Sequence, residues 1–255
     1  MTRLLNQLKG TLLIMRIVAL LCLSLLLAGC PNLGGNNTAR VTGDYAATIK
    51  KVGLLSLVDD KINVSYLTAS AQESFFSRGE LPGWDIDAQV AGIMMPNLKR
   101  KGFEVVPIAR NEALLGLYDS DFSYAKTDRI HEQLATIAKD LGLDMVVVVA
   151  RHVDTDRVTK TNQKIRGYGV QKAYGSDAFA YGSIYVEAYD TRKFFVVGKA
   201  TGFQSAPLPE GLWQSSFETA KGTVTVPAEI QDALRKILQK VVGDAVAIAA
   251  QEAGV

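Results

Sequence analysis

The sequence predicts an α/β protein, a mixed sheet of about five strands with helices packed on it, in a single domain. Three observations predict it. Short apolar, β-branched runs alternate with longer segments of helical period, the pattern of a sheet crossed by helices. One run, "MVVVVA" (145–150), is apolar on both faces, as a central strand with a parallel neighbour is. The stretch from Cys30 to Val255 is long enough for one core and one domain.

The elements follow in order. Arg3, Lys9 and Arg16 precede an apolar run from Ile17 to Ala28 that ends in the small residues Ala28 and Gly29. A basic start, an apolar middle and a small-residue end make a secretory signal peptide over residues 1–29. The run is short against the ~20 apolar residues of a membrane span, so a retained transmembrane anchor is the lesser reading. Met15 opens a second, more ordinary signal, "MRIVALLCLSLLLAGC" (15–30), and is the expected true start. Residues 30–45 read as a Gly- and Asn-rich tether, and 46–255 as the domain.

Within the domain, "IKKVGLLSLV" (49–58) reads as a buried strand and "INVSYL" (62–67) as a short second one. Asp85 caps a helix to about Lys101 whose face is Ile86, Val90, Ile93 and Leu98, and Pro96 is expected to kink or shorten it. "FEVVPI" (103–108) is a strand and "RNEALLGLY" (110–118) a short helix. Thr127 starts a helix carrying Ile130, Leu134, Ile137, Ala138 and Leu141, stopped by Gly142. "LDMVVVVARHV" (143–153) is the central strand. After a polar segment, "AFAYGSIYVEAYD" and "KFFVVGKATG" form a hairpin about Asp190-Thr191-Arg192. A long helix closes the chain, with Pro227 in its first turn and Ile230, Leu234, Ile237, Val241 and Ala245 as its core stripe.

Leu27-Ala28-Gly29-Cys30 resembles the lipobox of bacterial lipoproteins. That resemblance implies a diacylglyceryl group on the Cys30 thiol, removal of the peptide before it, and acylation of the new amino terminus. Two or more acyl chains hold a protein stably where one does not. The other cysteine, Cys22, leaves with the signal, so no disulfide, thiolate metal site or cysteine nucleophile is expected. "LATIAKDLGLDMVVVVAR" (134–151) and "IYVEAYDTRKFFVVGKATG" (184–202) resemble a periplasmic α/β domain. It is shared by the curli-channel lipoprotein CsgG, the amino-terminal part of TolB and the lipoprotein activators of peptidoglycan synthases. No long loop has the apolar-out alternation of a membrane-spanning hairpin, so a pore of the curli type is not expected.

Charge excludes little and chemistry excludes more. The formal charge is +2, but three of the 28 basic residues and none of the 26 acidic ones precede Cys30. The remainder stands at −1, which gives no argument for nucleic acid. "HEQLA" (131–135) has Ala135 where a zinc-protease helix needs its second histidine, and His131 reads as an exposed helix residue. His152, Asp154 and Asp156 alternate at a strand end but lack a fourth ligand, so no metal is expected. Ser176 and Ser183 sit in no nucleophile elbow, Asp59 and Asp60 read as turn residues, and "GYGVQKAYG" (167–175) lacks the setting of a phosphate loop. No catalytic constellation and no cofactor are expected.

The segment 154–177 is the candidate interaction loop. It mixes Arg157, Lys160, Lys164, Arg166 and Lys172 with Tyr168 and Tyr174, and Gly167, Gly169 and Gly175 loosen it. Anionic headgroups, lipopolysaccharide phosphates or an acidic protein face would suit it, and the plain alternative is a solvated loop. In the hairpin, Phe179, Tyr181, Tyr185 and Tyr189 share one face, opposite Ala178, Ala180, Gly182, Ile184, Val186 and Ala188. The small face suits helices; the aromatic face needs a second layer or serves docking. These readings converge on a lipid-anchored envelope protein, outer-membrane and periplasm-facing. It assembles with itself or docks on an envelope protein of a secretion, cell-wall or motility complex. Pro31, in place of an aspartate retention signal, leaves the inner membrane the lesser choice. The alternative function is a small-molecule or glycan binding module with a cleft at the strand ends.

Overall fold

A long hairpin is the spine of the fold. The computed structural model describes residues 39–68, 74–119, 124–159, 161, 163–193 and 195–255. All lie in the unit Asn37–Val255. The elements are α1 (Gly43–Ala46), β1 (Lys51–Leu57), β2 (Lys61–Leu67), β3 (Phe75–Glu80), α2 (Ile86–Arg100), β4 (Glu104–Ile108), α3 (Glu112–Asp119), α4 (Tyr124–Leu141), β5 (Met145–Arg151), β6 (Val153–Thr155), β7 (Lys164–Arg166), β8 (Tyr168–Ala173), β9 (Ala178–Asp190), β10 (Phe195–Pro207), β11 (Gly222–Thr223) and α5 (Ala228–Ala253).

β9 is long enough for two strands to pair end to end along one edge. β5 lies antiparallel to Ile184–Asp190 and β8 to Ala178–Gly182, while β10 runs along the other edge. β1 lies parallel to β5, and β4 to β1; β2 lies parallel to β8, followed by β3 and β11. The sheet thus has two wings and nine strands. The expected count of about five matches one wing, β4-β1-β5-β9-β10. Of the other wing only β2 was expected, as the short strand 62–67; β3 and β8 escape a periodicity reading because Ser77, Arg78, Gln171 and Lys172 break their apolar runs.

Both inner strands are interrupted lines. β1 resumes as β2 after Val58-Asp59-Asp60, and β5 resumes as β8 after an excursion that carries the β6–β7 hairpin. The chain leaves at His152 and re-enters at Gly167, whose amide donates to the His152 carbonyl at 2.8 Å. Gly167 has φ +58°, and a Cβ there would lie 2.6 Å from Arg151 Cδ, so glycine is required twice over.

Helices cover the sheet unequally. α5 lies on β9 and β10, with Leu234, Leu238, Val242 and Ala245 fully buried; Leu238 takes the core position expected of Ile237. Each such leucine or valine contributes about 1.5–3 kcal/mol relative to exposure. α2 packs beside α5 through Val90, Met94 and Leu98. Asp85 caps it, accepting from the Ala88 amide at 2.8 Å, and it runs on through Pro96 without ending. Pro96 stands on the solvent side, where the carbonyl of exposed Gly92 that loses its amide partner is open to water. On the opposite face of the first wing, Leu114, Leu134 and Ala138 of α3 and α4 meet Leu55, Val146, Val148 and Tyr189. α4 begins at Tyr124, three residues before Thr127, and ends at Gly142 with φ +63°.

Residues 39–45, expected in the tether, belong to the fold. Ala39 exchanges both backbone hydrogen bonds with Lys199, and the Val41 amide donates to the Ala253 carbonyl at 2.9 Å. The Tyr45 hydroxyl donates to Asp190, which also pairs with Arg192 across 3.3 Å. No described helix is long and apolar enough to cross a membrane.

Candidate functional site

The fold divides the candidate basic loop. Arg157, Lys164 and Arg166 share the β6–β7 hairpin, Tyr168 and Lys172 lie on β8, and Tyr174 follows it. Arg157 is exposed, ion-paired to Asp154 at 2.8 Å and stacked 5.5 Å over the Phe203 ring. Lys164 is exposed and Arg166 half-buried, both on β7. Tyr168 is fully buried in the core, its hydroxyl donating to the Asp59 carbonyl at 2.7 Å, so it cannot serve as a contact residue. Lys172 pairs with Glu218 at 2.9 Å and stands 5.9 Å over Trp213. Tyr174 is 80% exposed at the β8–β9 turn. Cys30 and Lys160 lie outside the described residues.

Asp156 holds the hairpin tip down. Its carboxylate accepts from the amides of Val158, Thr159 and Thr161, from the hydroxyls of Thr159 and Thr161, and from Gln171 Nε2 at 2.7 Å. Burial alone would raise its pKa, but these donors outweigh burial and hold it far below the usual carboxylate range. A carboxylate with this many protein donors is a structural clasp. Gln163 adds a bond to the Thr68 carbonyl at 2.9 Å. The hairpin is therefore the second layer over the second wing.

The aromatic face of β9 is mostly interior. Tyr181 and Tyr189 are fully buried; Phe179 and Tyr185 are partly covered. His131 is half-buried and stacks on Tyr189 with ring centroids 4.7 Å apart, rather than standing exposed. His152 stacks on Tyr185 at 6.3 Å. Burial lowers the pKa of both histidines. Glu187 lies on the same face, and Tyr118 donates to it at 3.4 Å. Burial raises the Glu187 pKa, and burial with the carboxylate beside them pushes Tyr118 and Tyr185 up as well. Among the described residues no cluster of three metal-ligating side chains occurs.

The densest charge chemistry lies where the inner strands break. Asp59 follows β1, and Arg151 ends β5 with its side chain 2% exposed. Arg151 Nη1 sits 3.1 Å from Asp59 Oδ2, which also pairs with Arg78 of β3. The Lys61 amide donates to Asp59 Oδ1 at 2.8 Å. Burial works against the Asp59 charge, but a hydrogen bond from Asp60, the Lys61 amide and the two arginines lower its pKa. The shared hydrogen bond raises that of Asp60.

Beside this network, at the carboxyl ends of β1 and β4 and the start of α2, is a crevice of about 290 Å³. Open α/β sheets bind ligands at such a place. Its walls include Leu54, Ser56, Asp87, Ala91, Ile108 and Arg110. Arg110 Nη1 lies 3.6 Å from Asp87 Oδ2 and its Nε 3.0 Å from Glu112. Asp87 Oδ1 and the Ser56 hydroxyl are buried without a hydrogen-bond partner among the described residues. Sequence reading passed over these residues because Asp59 and Asp60 look like turn residues and Ser56 like strand filler. The available signal was a charge, Arg151, directly after an all-apolar strand.

No family model matches the chain, and no curated protein matches it. Solved structures share low likeness. The PelC dodecamer from Paraburkholderia phytofirmans is 11% identical with a TM-score of 0.37, over 86% of this chain and 96% of that one. The LpoB C-terminal domain from Salmonella enterica is 11% identical with a TM-score of 0.25, over 61% and 83%. Lipoprotein GNA1162 from Neisseria meningitidis is 12% identical with a TM-score of 0.28, over 65% and 88%. At these scores the likeness carries no argument about function.

Proposed function

We propose that the chain is a lipid-anchored envelope protein, held at the outer membrane by Cys30 and facing the periplasm, that works as a non-catalytic docking module. The lipobox-like Leu27-Ala28-Gly29-Cys30 and Pro31 support the anchor. The observation that carries docking is the outer edge of β10. Its thirteen residues pair with β9 on one side, and the pairing described on the other side is Ala39 with Lys199. In an antiparallel ladder alternate residues turn their backbone groups outward. Lys199 does so, and therefore Thr201, Phe203 and Ser205 do too. Natural sheets cover or charge a free edge. An uncovered one is where an extended segment of a protein partner adds a strand.

The test is cross-linking in growing cells, followed by capture of the tagged protein. Cys30→Ala is expected to release the protein from the membrane. Thr201→Pro removes an outward N–H and spares the β9 ladder, so it is expected to abolish the cross-linked product without loss of fold. A discrete foreign band supports docking, and a ladder of self-multiples makes assembly the use of the edge. A product unchanged by Thr201→Pro would refute this assignment of β10.

A further inference from the structure

We propose that the crevice at the carboxyl ends of β1 and β4 binds a neutral, hydroxyl-rich small molecule of about one sugar ring. The inference stands apart from the docking role of β10, since a different surface carries it. Three features of the crevice point to this ligand class.

The first is unmet hydrogen bonding. Ser56 is 9% exposed and lines the crevice, and among the described residues its hydroxyl has no partner; Asp87 Oδ1, from the facing helix, has none there either. Buried polar atoms are almost always paired, and each exception calls for a partner. The carboxylate oxygen only accepts, whereas the serine hydroxyl donates or accepts. A ligand hydroxyl can donate to Asp87 while a neighbouring one exchanges a bond with Ser56, and a vicinal diol presents such a pair.

The second is charge. Arg110 is paired with Asp87 at 3.6 Å and with Glu112 at 3.0 Å, and Asp85 also lines the crevice, so its polar end is acid-rich and its one guanidinium is already engaged. An anionic ligand would meet these carboxylates, and a cationic one would have to displace the Arg110 guanidinium already set against Asp87, which favours a neutral molecule. A metal ion is disfavoured by the guanidinium beside the carboxylate. The third is shape. Leu54, Ala91 and Ile108 give an apolar wall for a carbon face, and about 290 Å³ is at the small end of ligand pockets, which run from about 300 to 1,000 Å³.

Thermal shift and isothermal titration of the full chain test this. The probes are D-galactose, N-acetyl-D-glucosamine and D-mannitol, with D-glucuronate as the charged control. At least one neutral probe is expected to bind saturably and raise the unfolding midpoint, and glucuronate is expected to bind more weakly. Ser56→Ala removes an unpaired buried hydroxyl, so its ligand-free midpoint should equal or exceed the parent's. Its affinity should nonetheless fall at least fivefold, and that of Asp87→Asn at least tenfold. Thr201→Pro should leave sugar binding unchanged, which separates this site from the β10 edge. Absence of saturable binding by all three neutral probes, unchanged affinity in Ser56→Ala, or tighter binding of glucuronate would each overturn the proposal.

Discussion

Three buried carboxylates show how residues of one kind come to differ. Asp156 has donors on every side and stays charged; Asp59 lies between two arginines; Glu187 has tyrosine hydroxyls beside it and burial raises its pKa. The sign for Glu187 follows from linkage. Its folded pKa exceeds its unfolded value, so the stability it contributes is full below the unfolded pKa and declines as pH rises towards the folded one. Glu187→Gln is expected to abolish that decline. Its unfolding midpoint should exceed the parent's above neutral pH by about 2–4 °C, the worth of roughly 1 kcal/mol in a chain of this size. The gap should close near pH 4, and a gap constant with pH would show that burial of the charge is not what the substitution relieves. Asp156 has the opposite sign. Its contribution is present above the unfolded pKa and lost only as pH falls well below the usual carboxylate range, so the hairpin tip should stay closed through mild acid.

At the scale of elements, close backbone approach decides where α5 sits. A Cβ on Gly202 would lie 1.9 Å from the Ala245 carbonyl oxygen, and one on Gly182 2.9 Å from that of Val241. Gly202→Ala must therefore push α5 off β10, with an expected loss of about 3 kcal/mol, the upper range for overpacking, measured by urea denaturation. An alanine variant as stable as the parent would mean that the helix shifts at no cost. The small face of β9, Ala180 to Ala188, was legible in sequence as a helix seat, as was the parallel placing of β5. The interrupted strands were not. Two aspartates after β1 and a sixteen-residue excursion after β5, from His152 to Gly167, look like strand ends in one dimension, yet their continuations rejoin the same lines in space. The crevice was unreadable for the same reason, since Ser56, Asp87 and Arg110 meet only after β1, α2 and β4 are assembled, whereas the basic run at 154–177 was conspicuous in sequence and is divided by the fold between the β6–β7 hairpin and β8, with Tyr168 in the core.

On the scale of the whole molecule, the two wings share one core. Val52 and Val147 of the first and Ile62, Val64 and Val170 of the second belong to the same buried cluster under α2 and α5. One cooperative transition is expected, with far-UV circular dichroism and tryptophan fluorescence giving the same midpoint. Trp84 packs edge-on against Tyr168 and Trp213 against Phe217, so fluorescence weights the second wing and ellipticity the helices. Two separated midpoints would show that the wings melt independently. The entry of the chain into this core has a mechanical meaning. Ala39 is bonded to Lys199 of β10, and Val41 to the last turn of α5 at Ala253. Any tension reaching residue 39 from the amino-terminal side is thus taken up by a thirteen-residue strand and a twenty-six-residue helix that both touch the shared core, not by a surface loop. Pulling there loads β10 and α5 first, and through them the core on which α5 is seated, so the body resists as a unit.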